Sequence, residues 1–255
     1  MVDCNGKVVI VTGAGQGIGQ AIALNYSKCK AKVVVVDRQL ERARETVTMI
    51  KDMGGKALAV AADVTLFHEV QEMLATTLEE FGDIDILVNN AGWDLVQPFF
   101  DNTQEMCDRL INVNLKGCIY CCRIVGEQMK KNKKGKIVNI SSDAGRIGSS
   151  EEAVYAAAKG GVIAFTKSLA VILAPYNINV NSVSPGPTDT PAVRRGIELS
   201  PKIAEEMKKR KEMTPLKRYA KPEEIANAVL FLSSEASEYI TGQILSVNGG
   251  AIMVD

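Results

Sequence analysis

The sequence predicts an α/β fold: one doubly wound parallel β-sheet of about seven strands, with helices on both faces. Short apolar runs typical of buried strands alternate with helix-period segments of about 10–15 residues along most of the chain. Such alternation favours parallel strands joined by right-handed helical crossovers. No repeat or low-complexity tract divides the 255 residues, so we expect a single domain over residues 1–255.

The first strand runs into a glycine-rich turn. Residues Lys7–Thr12 are followed by Gly13, Gly17 and Gly19, and then by a helix from Gln20 to Cys29. A glycine turn between a strand and a helix lets backbone amides approach a diphosphate. The spacing is T-G-x-x-x-G-x-G, since G-x-G-x-x-G does not fit. We therefore predict a Rossmann-type sheet that binds a dinucleotide.

The second strand specifies which dinucleotide we expect. Lys32–Val36 ends on Asp37, which is 18 residues beyond Gly19. A carboxylate at this position accepts hydrogen bonds from the adenosine ribose and repels a 2′-phosphate. The expected cofactor is NAD, with NADP less favoured, although the neighbouring Arg38 could receive a 2′-phosphate.

The next elements continue the alternation, with the carboxyl ends of all strands at one edge. The predicted elements are a helix at Leu40–Met53, a strand at Lys56–Ala61, a helix at Phe67–Phe81, a strand at Ile84–Val88, a helix at Thr103–Lys131 and a strand at Lys136–Ile140. The polar side chains expected along this edge, where ligands bind in such sheets, are Asp37, Asp63, Asn89 and Ser142.

A long Ala-rich helix, Ala153–Ala174, follows Ser142. Tyr155 and Lys159 are four residues apart and therefore share one face of this helix. An ammonium close to a phenol favours the phenolate, so this pair is a candidate for proton transfer.

One segment departs from the alternation. Residues 191–215 are helical and charged, and they follow a strand end at the ligand edge, so we expect a substrate lid over about 187–215. The remaining predicted elements are a strand at Asn179–Val183, a helix at Pro222–Ser233 and a strand at Gln243–Val247.

Composition excludes several classes of function. Thirty basic residues balance thirty acidic ones, so no net field attracts nucleic acid or an anionic membrane. No apolar run approaches the ~18–20 residues that span a bilayer, and no secretory leader is recognisable, so we expect a cytoplasmic protein. The six cysteines are expected to be reduced, and we expect no metal site, since His68 is the only histidine.

In combination, these motifs resemble the short-chain dehydrogenase/reductase family over about residues 5–250. The glycine turn, Asp63-Val64, Asn89–Gly92, Tyr155 with Lys159, and Pro185-Gly186 follow the family's order and spacing. The resemblance implies a catalytic tetrad of Asn114, Ser142, Tyr155 and Lys159. It implies that the cofactor is bound by Gly13, Gln16, Gly17, Ile18, Gly19, Asp37, Asp63, Val64, Asn90, Ala91, Gly92, Tyr155, Lys159, Pro185, Gly186, Thr188 and Thr190. It also implies a homotetramer.

Three stretches, 89–94, 148–155 and 185–190, resemble the 2-hydroxycyclohexanecarboxyl-CoA dehydrogenases of this family. They imply interconversion of a secondary alcohol and a ketone on a hydroxyacyl-CoA. The alternatives are a 3-oxoacyl-[acyl-carrier-protein] reductase, or a dehydrogenase of another small alcohol or sugar. Two further alternatives belong to other classes of function: a protein that binds NAD as a sensor without catalysing a reaction, and a scaffold subunit of a hetero-oligomer. The residues expected to face the substrate are Trp93, Asp94, Ser142, Arg146, Ser149, Glu152 and Tyr155. Candidate cations for the CoA phosphates are Arg194, Arg195, Lys208, Lys209, Arg210 and Lys211.

Overall fold

The computed structural model describes residues 3–254, so Met1, Val2 and Asp255 of the predicted domain lie outside it. The strands are β1 Val8–Thr12, β2 Lys32–Asp37, β3 Lys56–Ala61, β4 Ile86–Asn89, β5 Gly135–Ile140, β6 Ile178–Pro185 and β7 Ile244–Val247. They form one seven-stranded sheet of order β3-β2-β1-β4-β5-β6-β7, and every pairing is parallel. The predicted fold class is confirmed.

Helices cover both faces of the sheet. They are α1 Gly17–Lys28, α2 Leu40–Asp52, α3 Phe67–Phe81, α4 Gln104–Ile111, α5 Gly117–Asn132, α6 Ala144–Ile147, α7 Ala153–Leu173, α8 Pro191–Leu199, α9 Pro201–Met213 and α10 Pro222–Leu232. One buried apolar cluster joins the sheet to α1, α2 and α10, and a second joins it to α3, α5 and α7. Burial of both faces explains why the central strands are continuous Val and Ile runs rather than alternating ones.

The predicted helix over 103–131 is continuous but not regular. Residues Asn112–Lys116, between α4 and α5, form a π-helical turn. A π-helical turn inserts an extra residue into the helix and commonly marks a functional position. The short helix α6 was not predicted, and α1 begins at Gly17 rather than at Gln20.

The segment that breaks the alternation forms two helices, α8 and α9. Each begins with a proline after a capping side chain: Thr190 Oγ1 accepts from Val193 N at 3.3 Å, and Ser200 Oγ accepts from Ile203 N at 3.4 Å. Proline suits the first helical position because its missing N–H has no acceptor there. The predicted helical character of residues 191–213 agrees with this structure.

Among residues 3–254, only the helical stretch Ala153–Tyr176 has the length and composition of a membrane span, with a mean hydropathy of 1.5. The expectation that no run approaches this length counted unbroken apolar residues and missed a stretch with two lysines. In the fold this stretch packs against β6, α4 and the π-helical turn and buries Lys159, so it is a core helix of the sheet's second face.

Every cysteine is a free thiol, and Cys118, Cys121 and Cys122 are buried along α5. Burial raises the pKa of the Cys121 and Cys122 thiols, so they remain protonated and inert. The structure packs these three thiols along α5 as expected, and their reduced state stays a prediction. His68 is exposed on α3, in the first turn of that helix.

Candidate active site

The glycine turn is built for close backbone contact. Gly13 and Gly17 have φ of +62° and +59°, which L-residues with a side chain rarely adopt. A Cβ at Gly19 would overlap the carbonyl oxygen of Gly13 and Nδ2 of Asn90. Asn90 Nδ2 donates to the carbonyls of Thr12 and Gly13, both at 3.0 Å. Asn90 therefore fixes the turn from the neighbouring strand end.

The Thr12 hydroxyl adds a link between the ends of β1 and β4 that was not in the expected set. Its Oγ1 accepts from the N–H groups of Asn90 and Ala91, each at 3.1 Å. Its place at the start of the T-G-x-x-x-G-x-G pattern was the available signal.

Asp37 lies beside this turn, at the end of β2. Its Oδ2 accepts the N–H of Gly15 at 3.1 Å, and its Oδ1 accepts that of Gln39 at 3.0 Å. A Cβ at Gly15 would stand 2.7 Å from Oδ2 and 2.6 Å from Cβ of Arg42. The carboxylate is thus fixed by backbone donors, and each of its oxygens retains a lone pair.

The ends of β3 and β4 supply the other wall. Asp63 Oδ1 accepts from the backbone and hydroxyl of Thr65 at 2.9 and 2.7 Å, while Val64 packs closely over Gly117 of α5. Gly92 is exposed, and a Cβ there would stand 2.9 Å from Oδ1 of Asn114 and 3.5 Å from Nζ of Lys159. The end of β4 therefore reaches the predicted tetrad.

Asn114 is buried in the π-helical turn. Its Nδ2 donates to the carbonyls of Trp93 at 2.6 Å and Leu110 at 2.9 Å, and its Oδ1 accepts from Trp93 N at 3.2 Å. The backbone hydrogen bonds of this turn depart from the regular helical pattern, and the side-chain amide of Asn114 reaches the segment after β4 from it.

Tyr155, Lys159 and Ser142 converge between the start of α7 and the end of β5. Nζ of Lys159 donates to the carbonyl of Ile140 at 2.8 Å and lies 5.7 Å from the ring centroid of Tyr155. Ser142 faces the Tyr155 phenol and accepts from Ala144 N at 3.2 Å. The structure thus brings these three side chains together, with Lys159 Nζ near Gly92 and its neighbour Asn114.

The electrostatics differ from the expectation that Lys159 lowers the pKa of Tyr155. Burial and the carboxylate of Asp94 raise the pKa of Tyr155, and the hydrogen bond from Ser142 only partly opposes them. Burial lowers the pKa of Lys159 to about 8. Desolvation of the Lys159 ammonium dominates because its hydrogen-bond acceptor, the carbonyl of Ile140, is neutral and does not form an ion pair with it.

The predicted cofactor residues after β6 lie near the same edge. Gly186 packs on Asn248, where a Cβ would stand 2.7 Å from that residue's Cβ. Thr188 is buried and donates to the carbonyl of Gly186 at 2.9 Å. Thr190 lies across from Gly17, 3.5 Å from where a Cβ on that glycine would be. This stretch therefore links the glycine turn to α8.

Four of the predicted substrate residues, Trp93, Asp94, Ser149 and Glu152, have partners within the chain. The guanidinium of Arg109 lies 4.2 Å from the ring centroid of Trp93, so one face of the indole is covered. Glu152 is buried and accepts both Arg210, at 3.2 and 2.9 Å, and the Ser149 hydroxyl, at 2.8 Å. Asp94 is exposed as a residue, but its carboxyl faces that of Glu152, and local desolvation together with this like charge raises the pKa of Asp94 to about 7.

The structure does not support the prediction that Arg146 faces the substrate. Its guanidinium donates to Ile244 O at 3.2 Å and Ser246 Oγ at 2.7 Å on β7, and to Val254 O at 3.0 Å. The turn of α6 directs this side chain towards the C-terminal strand instead of towards Tyr155. The structure does not bring Arg146 to the substrate position.

Most candidate cations for CoA are engaged within the chain. Arg194 pairs with Asp189 at 2.6 Å, Lys209 with Glu205 at 3.0 Å, and Lys208 with Glu212 at 3.9 Å. Arg195 and Lys211 are exposed, and neither forms an ion pair with any residue of the described part of the chain. Between residues 3 and 254, no three His, Cys, Asp or Glu side chains are grouped as metal ligands would be.

Comparison with known proteins agrees with this geometry. A family model described as enoyl-(acyl carrier protein) reductase matches residues 13–251. A 3-oxoacyl-[acyl-carrier-protein] reductase of Synechocystis sp. is 39% identical over 99% of this chain and 100% of its own. Glucose 1-dehydrogenase 2 of Bacillus subtilis is 38% identical over 97% of this chain and 95% of its own.

The likeness extends to solved structures. A short-chain type dehydrogenase/reductase from Mycobacterium marinum superimposes with a TM-score of 0.91 at 34% identity, covering 99% of this chain and 98% of that one. Whole-length similarity in sequence and structure shows common descent and a common type of reaction, while the substrate varies among these relatives. The chain belongs to the short-chain dehydrogenase/reductase family of oxidoreductases.

Proposed function

We propose that this oxidoreductase interconverts a secondary alcohol and a ketone by hydride transfer with NAD. The observation that carries the proposal is the placement of Tyr155, Ser142, Lys159 and Asn114 at the same sheet edge as the glycine turn and Asp37. A proton-transfer group and a dinucleotide cradle on one edge are what such a reaction requires.

The residues present fit a nicotinamide dinucleotide. Gly15 leaves open a space that a Cβ would fill, next to a carboxylate already fixed by two backbone donors. Asp37 would bind the ribose hydroxyls, and the amides from Gly13 to Gly19 would bind the diphosphate. Asp63, Val64, Asn90, Thr188 and Thr190 would complete the cofactor wall, with Asn90 acting through the turn it holds. NAD supplies the hydride acceptor when bound.

The chain's own groups handle the proton. Tyr155 would take the proton of the substrate hydroxyl, and the Ser142 hydroxyl would hold the reacting oxygen against it. Lys159 would stabilise the phenolate, and Asn114 would hold the segment after β4 and keep a solvent path to Lys159 open. Lowering an ordinary phenol pKa by ~2 units takes about 3 kcal/mol of differential interaction. Because burial and Asp94 raise the pKa of Tyr155 in the cofactor-free chain, Lys159 and the positive charge of bound NAD would have to supply more than that.

The substrate we propose is a hydroxyacyl-CoA, such as 2-hydroxycyclohexanecarboxyl-CoA. Trp93 is half-buried beside the site, and the indole face opposite Arg109 would receive an alicyclic ring. Residues 187–215 would form the lid, and the exposed cations Arg195 and Lys211 are the ones there without an ion-pair partner among residues 3–254. The named relatives keep two alternatives open: a 3-oxoacyl-[acyl-carrier-protein] reductase and a sugar dehydrogenase.

We also propose a cytoplasmic homotetramer. Val171 and Ile172 leave 76% and 60% of their surface exposed on α7, which favours burial against another copy. The free thiols support a reducing compartment.

The test is a turnover screen of the purified chain with NAD and with NADP. The substrates are a hydroxyacyl-CoA, the same acyl group on carrier protein, the free hydroxy acid and glucose. We expect the highest kcat/KM for the CoA ester with NAD. A preference for the hydroxyacyl carrier protein with NADP would favour the first alternative, and a preference for glucose the second. Binding of NAD without turnover of any alcohol would refute the proposed function.

A further inference from the structure

A buried carboxylate lies one helical turn before Tyr155 and takes no part in the chemistry described so far. Glu152 is 5% exposed, at the residue that precedes α7. Arg210 donates to both of its oxygens, and the Ser149 hydroxyl donates to Oε2. Burial opposes ionisation of Glu152, but the hydrogen bonds and charge of Arg210 outweigh it and hold its pKa below the usual value.

Arg210 belongs to α9, so this ion pair joins the lid to the helix that carries Tyr155. Its Nε also donates to Glu206 on the same helix at 3.1 Å, which fixes the direction of the guanidinium. A second pair, Lys202 with Glu151 at 3.0 Å, joins the same two elements, but its lysine is 63% exposed. Met207 is buried on α9, one turn before Arg210. Of the two ion pairs, the one between Arg210 and Glu152 is the less exposed, with 29% and 4% of the two side chains exposed.

The charges around Tyr155 depend on this contact. The carboxylates of Asp94 and Glu152 oppose ionisation of the phenol, while Arg210 favours it and Ser142 assists by hydrogen bonding. Nζ of Lys159 lies 5.7 Å from the centroid of the same ring. If α9 moved away, Glu152 would remain as an uncompensated carboxylate one turn from the phenol.

We propose that Arg210 is a positioning residue that couples closure of the lid to the acid–base group, because it clamps Glu152 and cancels that carboxylate's charge beside Tyr155. An open lid then holds the phenol protonated, and proton abstraction begins only when α9 is seated. The inference has two halves. The catalytic half, the effect on the ionisation of Tyr155, rests on the proposed function. The mechanical half, that the ion pair of Arg210 with Glu152 holds α9 in place, does not.

The mechanical half is tested by hydrogen exchange of the amides of 201–213, with and without NAD. Arg210→Met is expected to raise the exchange rate there at least tenfold. Lys202→Met is the matched control, since it removes the exposed pair between the same elements, and we expect a change of less than twofold. An exchange rate in Arg210→Met equal to that of the wild type would overturn the mechanical half, because the ion pair would then not hold α9.

The electrostatic half is tested by the pH profile of kcat/KM. Arg210→Met is expected to move the ionisation assigned to Tyr155 upward by about one pH unit. Adding Glu152→Gln should move it back, although exchange of α9 stays fast, because the uncompensated carboxylate is gone. Identical profiles for the single and double variants would overturn the coupling. If the wild type turns over no alcohol, the proposed function fails, and the hydrogen-exchange experiment still tests whether Arg210 holds α9 in place.

Discussion

Replacing Asp37 by alanine should shift cofactor preference from NAD towards NADP. The carboxylate is held beside the glycine turn by the N–H groups of Gly15 and Gln39, at 3.1 and 3.0 Å. It is therefore preorganised to accept ribose hydroxyls and to repel a phosphate at the same position. Alanine removes both effects and leaves the neighbouring Arg38 available to a 2′-phosphate.

The magnitude follows from two contributions. A hydrogen bond to a charged acceptor is worth about 1.5–3 kcal/mol, and NAD loses at least one. Repulsion between unit charges about 4 Å apart is about 1–4 kcal/mol for effective dielectric constants of 80 to 20, and NADP is relieved of it. Together these give about 2.5–7 kcal/mol, so the ratio of the two Kd values should change by at least about 2.5 kcal/mol, or roughly 70-fold.

Isothermal titration of NAD and NADP into the purified variant measures this ratio. Asp52→Ala, an exposed acid at the other end of α2, is the control and should leave the ratio unchanged. Asp37→Asn keeps the side-chain volume and should show the same direction if the variant Asp37→Ala folds poorly. A preference that stays within threefold of the wild type in both variants would refute the role given to Asp37.

Three further outcomes are expected. Lys159→Met should abolish turnover. The same change should raise the free energy of unfolding in urea of the cofactor-free chain at pH 7 by up to about 3 kcal/mol, because folding lowers the pKa of Lys159 from 10.5 to about 8. That gain should shrink between pH 8 and 10.5, where the folded chain has lost the Lys159 proton and the unfolded chain still holds it, so that the stability of the wild type rises with pH. A gain independent of pH would contradict this. Gly19→Ala should destabilise the fold by about 2–4 kcal/mol and weaken NAD binding in titration, since the Cβ overlaps backbone. Asn114→Ala should lower kcat more than it raises KM, and an unchanged kcat would remove Asn114 from the site.

The fold was predictable because each element carries a strong local signal. The Val run of β2 and the apolar run of β1 indicate strands buried on both faces, and the glycines after Thr12 indicate the turn. Crossover handedness then places the carboxyl ends of the parallel strands at one edge, whereas the strand order itself was not predicted. Tyr155 and Lys159 were placed together by helical spacing alone, and the structure has them 5.7 Å apart, from Nζ to the ring centroid.

The remaining features depend on tertiary contacts that spacing does not encode. Nothing local marks Asn112–Lys116 as a π-helical turn, because its residues are compatible with a regular helix. Arg146 and Glu152 both belong to the segment that was expected to face the substrate. Packing directs one towards β7 and the other towards the distant Arg210. The pKa of Tyr155 was misjudged for the same reason, since burial and Asp94 act on it from other elements.

The acid–base role of Tyr155 is tested most directly by comparing the wild type with Tyr155→Phe, under one protocol of NAD titration and steady-state turnover on the best substrate of the screen. The account predicts NAD affinity within twofold of the wild type and a rate reduced by about 10²–10⁴-fold, the range expected for loss of a general acid–base group. A variant that keeps more than a few per cent of the wild-type rate would contradict it.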